Sequence, residues 1–341
     1  MKSSTALLLA VGLGLAGRKL MERRGRRDSL AGDVAVVTGG SRGLGLLIAR
    51  ELLREGCRVA ICARDGEELE AARSQLAAEG EVVALRCDVA AADDVDTMVA
   101  AVRRRLGPVD MLVNNAGVIQ VGPVESQTLA DYRSAMDVMF WGTVHCTLAV
   151  LQDMLARGRG RIVNITSIGG KVAVPHLLPY ESAKFAAVGF SEGLRSELAS
   201  RGVRVTTIVP GLMRTGSYVN AYFKGSEELE FRLFGLLANA PLISMDAERA
   251  ARQVVEATRR RTPERVLGAP AQLTVAVNAL FPGAVSRIVA WVNRSLPRSD
   301  DRSPARRGLD VYERARGLLF DAATVQGRRA ARRFQRLQLA R

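Results

Sequence analysis

The sequence predicts an α/β fold of three layers (α/β/α), built on a doubly wound, mostly parallel sheet with extensions at both ends. Three observations predict it. Strand-like and helix-like runs alternate from about residue 34 to residue 268. A glycine-rich turn joins the first strand to the first helix. Every polar motif that stands out falls at the carboxyl end of a strand or in the helix that follows. Right-handed crossovers place a ligand crevice along that edge of such a sheet.

The elements follow in order. The run at 34–38 (Val34, Ala35, Val36, Val37, Thr38) is apolar without alternation, as a strand buried on both faces is. Gly39-Gly40-Ser41-Arg42-Gly43-Leu44-Gly45 comes next, then the apolar run Leu46-Leu47-Ile48-Ala49 of a helix at 43–55. Glycines also serve ordinary tight turns, but strand, glycine turn and helix start in this order set a pyrophosphate on helix N–H groups. Strands near 58–63, 82–87 and 109–113 are separated by helices near 66–79 and 92–106. The fourth strand runs into Asn114-Asn115-Ala116-Gly117, and a long helix spans 128–157. A strand at 161–166 ends just before Ser167, and a helix at 179–201 carries Tyr180-Glu181-Ser182-Ala183-Lys184. A strand at 203–209 leads to Pro210-Gly211 and Thr215, followed by a helix at 246–260 and a short strand at 265–268. Unbroken alternation with short connections argues for one domain, 30–269, rather than two.

Tyr180 and Lys184 are four residues apart, so a helix points both into one cleft. A phenol normally keeps its proton near neutral pH, and a neighbouring ammonium favours the phenolate. Tyr180 then becomes usable as a general acid or base, with Ser167 placed to hydrogen-bond a substrate oxygen.

Together these residues resemble the short-chain dehydrogenase/reductase family, from about Leu30 to Ala269. The resemblance implies a Rossmann-type fold and hydride transfer between a nicotinamide and a carbonyl or secondary alcohol. In reduction Tyr180 would protonate the developing alkoxide and Ser167 would polarise the carbonyl. Lys184 would bind the nicotinamide ribose and keep the tyrosine pKa low. Gly39, Ser41, Arg42, Gly43, Leu44 and Gly45 would hold the pyrophosphate end. Asp88 would bond the adenine with Val89 packed beside it. Asn115, Ala116 and Gly117 would line the middle, and Pro210, Gly211 and Thr215 the nicotinamide end. Asn114 is expected to be structural, bonding backbone between neighbouring strands. Members that prefer NAD carry an acidic residue where this chain has Ala63; here Arg64 follows, and Arg42 approaches from the glycine turn. NADP(H) is therefore expected over NAD(H). Asp65 is the alternative, able to reach a ribose hydroxyl if its loop turned inward.

One position departs from the family. Where members carry an asparagine on the long helix, thought to hold a water leading from the lysine to solvent, this chain has Met139. A thioether donates no hydrogen bond. Another group supplies the relay, or catalysis is slower, or the chemistry is lost. The competing function is accordingly a catalytically weak NADPH-binding module docked to a membrane or a protein partner.

Specificity is expected from the residues before Tyr180 (Val174, His176, Leu177, Leu178) and from an insertion between Met213 and Met245. That insertion holds Tyr218, Tyr222, Phe223, Phe231, Leu233, Phe234, Leu236 and Leu237. Such a lid suits a small hydrophobic carbonyl or alcohol of lipid-, steroid- or aromatic-like character; packing of the lid onto the domain, or a dimer contact, is the alternative. His176 is either a rim residue or a catalytic one.

Composition bounds the rest. Of the formal charge of +14, residues 1–27 carry +6 and residues 298–341 carry +7, so the 28–297 portion is nearly neutral. Charge confined to the ends, with no recognition motif, argues against nucleic-acid binding and fits an anionic membrane surface better. Ala6–Gly17 is an apolar run of twelve residues followed by a basic cluster. It is short for a span of about 20 residues, so residues 1–29 form a leader or shallow anchor on a cytoplasmic protein at the inner face of the membrane, with a flexible leader as the alternative. Residues 270–297 are apolar, forming helices at the substrate rim or a membrane, or packing on the core; 298–341 reads as a basic, partly flexible tail. Cys57, Cys62, Cys87 and Cys146 read as buried thiols of a reducing compartment. With His145 and His176 as the two histidines, no metal site is expected. The family resemblance implies a homo-oligomer built through the long helices.

Replacing Met139 with Asn is expected to raise the turnover rate or leave it unchanged. A large fall in steady-state rate would give the methionine a role of its own.

Overall fold

In the computed structural model, which describes residues 29–334, seven parallel strands form the middle layer. They are β1 (Val34–Thr38), β2 (Arg58–Ala63), β3 (Val82–Arg86), β4 (Met111–Asn114), β5 (Gly160–Ile165), β6 (Val203–Pro210) and β7 (Glu264–Leu267). Their order is β7-β6-β5-β4-β1-β2-β3, and Val36 pairs with Ala60 on one side and Leu112 on the other. Strand order reverses between β1 and β4, which opens the crevice at their carboxyl ends.

The unbroken apolar character of β1 follows from its two partners. Ala35 and Val37 face a layer made by α1 (Gly43–Arg54) and α8 (Ala247–Arg259), where Leu46, Ile48, Ala250 and Val254 are buried. Val34 and Val36 face the opposite layer, formed by α3 (Ala92–Arg105) and α5 (Gly142–Ala156) with Val95, Val99, Cys146 and Val150. Burying each such side chain is worth about 1.5–3 kcal/mol, which fixes which face each strand residue takes. α2 (Gly66–Leu76) begins at Asp65, whose carboxylate accepts from Glu68 N at 3.0 Å. All four cysteines are free and buried.

The long helix expected at 128–157 is present with a defect. α4 (Leu129–Met136) passes through a π-helical turn at Asp137–Trp141 into α5, so the extra backbone of the π turn is centred on Met139. α6 (Leu178–Leu198) packs beside it.

The chain after 298, expected to be a basic, partly flexible tail that turns helical and arginine-rich, with a solvated face or a partner site, is folded back from Arg306 to Phe334. Arg306–Arg307 pairs antiparallel with Tyr222–Phe223, which pairs parallel with Gln120–Val121. α11 (Gly308–Ala315), α12 (Leu318–Ala323) and α13 (Val325–Phe334) then pack on α7 (Glu227–Asn239) of the insertion. Together they bury a third core of Tyr218, Phe223, Phe231, Val311, Tyr312 and Phe320. Periodicity in an arginine-rich segment gave no sign of this, because the partner surface lies about 90 residues upstream. The remaining pair, α9 (Ala269–Leu280) and α10 (Pro282–Asn293), stays at the surface; none of α10's residues is buried. The apolar and basic leader at 1–27 lies outside the described residues.

Phe231 is fully buried between Tyr218, Phe223, Tyr312 and Phe320. Phe231→Ala should cost about 3–5 kcal/mol, read as a lower urea midpoint. A change below 1 kcal/mol would mean that the tail and insertion do not share a cooperative core.

Candidate active site

The crevice is a cavity of about 950 Å³ running from the glycine turn to the insertion. Its floor is set by a close approach between the turn and β4. Thr38 Oγ1 accepts from the backbone N–H groups of Asn115 (2.9 Å) and Ala116 (3.0 Å), and Asn115 Nδ2 donates to Thr38 O at 2.9 Å. Gly45 lies behind this contact rather than on the cavity wall; a Cβ there would stand 2.2 Å from Gly39 O. Its place is packing, not ligand contact. Gly39, Ser41, Arg42, Gly43 and Leu44 do line the cavity, as do Asn115, Ala116 and Gly117. Asn114 is structural, but through side chains: its Nδ2 donates to Asn164 Oδ1 on β5 at 2.9 Å rather than to backbone.

At the far end of β2 the wall contains Arg64, Asp65, Glu68, Asp88 and Val89. Asp65 is committed to capping α2. Arg42 is not free, because its guanidinium meets both Glu68 oxygens at 2.7 Å. Arg307 from the folded tail reaches the same place, bonding Asn220 Oδ1 and standing 4.0 Å from Glu68. Arg307 and Glu68 escape sequence reasoning because neither belongs to a motif and only tertiary folding brings them together.

Ser167, Tyr180 and Lys184 converge at the inner wall. Ser167 follows β5, and its Oγ accepts from Gly169 N at 3.0 Å and lies near enough to the Tyr180 phenol to lower its pKa. Lys184 Nζ donates to Ile165 O at 3.0 Å and lies 5.8 Å from the Tyr180 ring centre. Burial lowers Lys184 to about 8, so the ammonium still predominates at pH 7. The expectation that this ammonium keeps the tyrosine pKa low is corrected here. Burial pushes Tyr180 up to about 12, against a lowering influence of Ser167 and with a further push from Glu181. The phenol is therefore neutral and able to donate a proton.

Glu181, passed over in the sequence as the residue between two expected catalytic ones, is buried at the same wall. Its Oε1 accepts from Val174 N at 2.7 Å and its Oε2 has no partner among the described residues, so burial raises it to about 7. Met139 packs with Ala135, Ala183 and the Tyr180 ring. Its backbone carbonyl is taken by Thr143 Oγ1 at 2.9 Å. A Cβ on Gly117 would touch both the Met139 sulfur (3.7 Å) and Lys184 Nζ (3.8 Å), so a thioether shares the lysine's pocket.

Pro210, Gly211 and Thr215 border the cavity beyond the trio. Val174, His176 and Leu177 face it, whereas Leu178 points outward. The insertion divides: Tyr222, Leu233, Phe234 and Leu237 line the cavity, while Tyr218, Phe223 and Phe231 belong to the third core and Leu236 is exposed. His176, at φ +68°, binds Glu230 of α7 through Nδ1 at 2.6 Å, both side chains nearly buried. This pair ties the loop before Tyr180 to the insertion.

Residues 33–222 match the family model for short chain dehydrogenase. Among known proteins, the chain is similar to a putative ketoacyl reductase of Streptomyces coelicolor, at 43% identity over 188 residues (54% of this chain, 71% of the relative). It is also similar to the putative oxidoreductase SadH of Mycobacterium tuberculosis, at 33% over 266 residues (77% of this chain, 96% of the relative). A solved short-chain dehydrogenase from Streptomyces avermitilis superposes with a TM-score of 0.65 at 30% identity, covering 77% of this chain and 97% of that one.

Glu181 supplies a pH test. Its folded pKa lies above its unfolded value of 4.5, so the native state holds the extra proton between pH 4.5 and about 7. Its contribution to stability is full below pH 4.5 and is lost as pH rises through 7. Glu181→Gln should remove that decline, leaving the variant relatively more stable at pH 8 than at pH 4.5. Parallel thermal melts of the two proteins across this range would refute the assignment.

Proposed function

The chain belongs to the short-chain dehydrogenase family of nicotinamide-dependent oxidoreductases, and from that premise we propose that it is an NADP(H)-dependent reductase of hydrophobic carbonyl compounds. The observation that carries the reading is the convergence of Ser167, Tyr180 and Lys184 on the wall of an apolar cavity, with Lys184 Nζ 5.8 Å from the Tyr180 ring centre. A bound nicotinamide would supply the hydride. Ser167 holds and polarises the substrate oxygen, and the neutral Tyr180 phenol gives its proton to that oxygen as negative charge develops. A phenol raised by burial keeps its proton at neutral pH and so stands in the form that reduction requires. Lys184 orients the ribose end. The close packing of Gly39 on Ala116, where a Cβ would stand 3.0 Å from Ala116 Cα, fits a backbone cradle for the dinucleotide.

NADP(H) over NAD(H) is supported by Arg64 and Arg307 on the wall at the end of β2 and by Asp65, one of whose oxygens is engaged in capping α2. Glu68 is neutralised by Arg42. The apolar substrate is supported by Val172, Val174, Leu177, Leu233, Phe234 and Leu237 on the wall. The name ketoacyl reductase borne by the Streptomyces coelicolor relative supports a carbonyl as the reacting group. We place the protein in the cytoplasm at the membrane's inner face. A homo-oligomer would cover the apolar Trp141, Leu148 and Phe185 exposed on the long helices.

One observation favours the second reading, a weak NADPH-binding module: the Met139 thioether beside Lys184. Deuteride transfer separates the two. Protein incubated with C4-deuterated NADPH, in parallel with NADH, and a hydrophobic extract of its host should yield deuterated alcohols, more from NADPH. Tyr180→Phe should abolish the label while leaving NADPH binding largely intact. Label from the Phe variant would remove Tyr180 from the chemistry, and no label despite bound NADPH would favour the module.

A further inference from the structure

α9 and α10 are bent by 117° at the break between Leu280 and Pro282. Each has 12 residues, or about 18 Å at the usual helical rise, too short for the roughly 30 Å hydrocarbon core of a bilayer. The pair cannot span, but it has the form of a hairpin that lies flat. Its outer face is apolar: Leu273, Val277 and Leu280 recur at helical spacing on α9, Phe281 sits at the corner, and Ile288 and Trp291 follow on α10. Trp291 is 67% exposed and Leu280 72%.

The charge pattern says what would cover this face. From Arg265 to Ser299 there is no acidic residue, while Arg265, Arg287, Arg294 and Arg298 are all exposed. Arg287 and Arg294 stand four residues before and three after Trp291, so both flank it on one side of α10. Exposed apolar side chains, an aromatic and arginines on one face match the interface of an anionic bilayer, where the ring sits at headgroup depth and the guanidinium groups meet lipid phosphates. A second copy of the chain would set arginines against arginines, which disfavours it.

The surface also continues into the cavity. Thr274 of α9 and Val289 and Val292 of α10 line the cavity, as do Leu237 and Ile243 at the end of α7. Leu242, between those two, is 91% exposed. Other residues of the same two helices, with exposed apolar residues near the end of α7, therefore border the cavity.

We propose that the α9–α10 hairpin, with the adjoining end of α7, docks on an anionic lipid bilayer so that the cavity mouth opens onto the lipid. Docking rests on this surface alone and does not depend on the reaction proposed above.

Trp141 and Trp291 are the two tryptophans, so in a full-length Trp141→Phe protein Trp291 is the sole reporter. With vesicles of phosphatidylglycerol and phosphatidylcholine, its emission should shift to shorter wavelength and lose most of its intensity when the acyl chains are brominated. Vesicles of phosphatidylcholine alone, or high salt, should weaken both effects. Phe281→Asp with Ile288→Asp in the same protein should abolish them while leaving NADPH binding intact. Vesicle flotation without any change in Trp291 emission would assign membrane contact to another segment, such as residues 1–27, and overturn the proposal. So would a protein that neither floats nor shifts. Emission already shifted without lipid, together with dissociation of a dimer by Phe281→Asp, would make a second copy the occupant and overturn it equally.

Discussion

The crevice depends on how closely one turn of backbone lies against the end of a neighbouring strand. Thr38 and Asn115 clamp the glycine turn to β4 through three hydrogen bonds of 2.9–3.0 Å, and Gly45 leaves no room for a side chain between them. A parallel sheet whose strand order reverses at β1 must open there, and the clamp sets the width of the opening. Gly117, two residues beyond Asn115, faces both Met139 and Lys184, where an added Cβ would touch each.

The inner wall concentrates groups that water would normally solvate. Tyr180 and Glu181 share the first turn of α6 and Lys184 lies one turn on, and burial moves each toward its neutral form. A neutral phenol therefore lies beside Ser167, with the Lys184 ammonium 5.8 Å from its ring centre. The π turn at Met139 sits directly behind this wall. Its carbonyl is occupied by Thr143, and its thioether packs among Ala135, Ala183 and Tyr180.

The folded tail changes what the insertion is. Arg306–Arg307 adds a strand to Tyr222–Phe223, and Tyr312 and Phe320 complete a core around Phe231, so the roof of the cavity is a small lobe with its own interior. The same segment delivers Arg307 to the cavity wall beside Glu68, and the His176–Glu230 pair ties the lobe to the loop before Tyr180. Cavity roof and the wall at the end of β2 are thereby coupled through one piece of chain.

The seven strands and the helices between them were legible from local signals: unbroken apolar runs, glycine at the first turn, and helical spacing of Tyr180 and Lys184. Those signals are short-range, set by backbone sterics and by which faces a strand must bury, so the sequence by itself determined the sheet, the helices and the convergence of Ser167, Tyr180 and Lys184 on one wall. Only the tertiary structure decided the rest. Whether Tyr218 faces the cavity or a hidden core, whether Asp65 caps a helix, and whether Arg307 reaches Glu68 are questions of long-range packing with no periodic signature. The protonation of Tyr180 is of the same kind. A lysine four residues away argued for a low pKa, and burial among residues from β5, α4 and α6 reversed it, because desolvation depends on everything packed around a group and not on its neighbours in the chain.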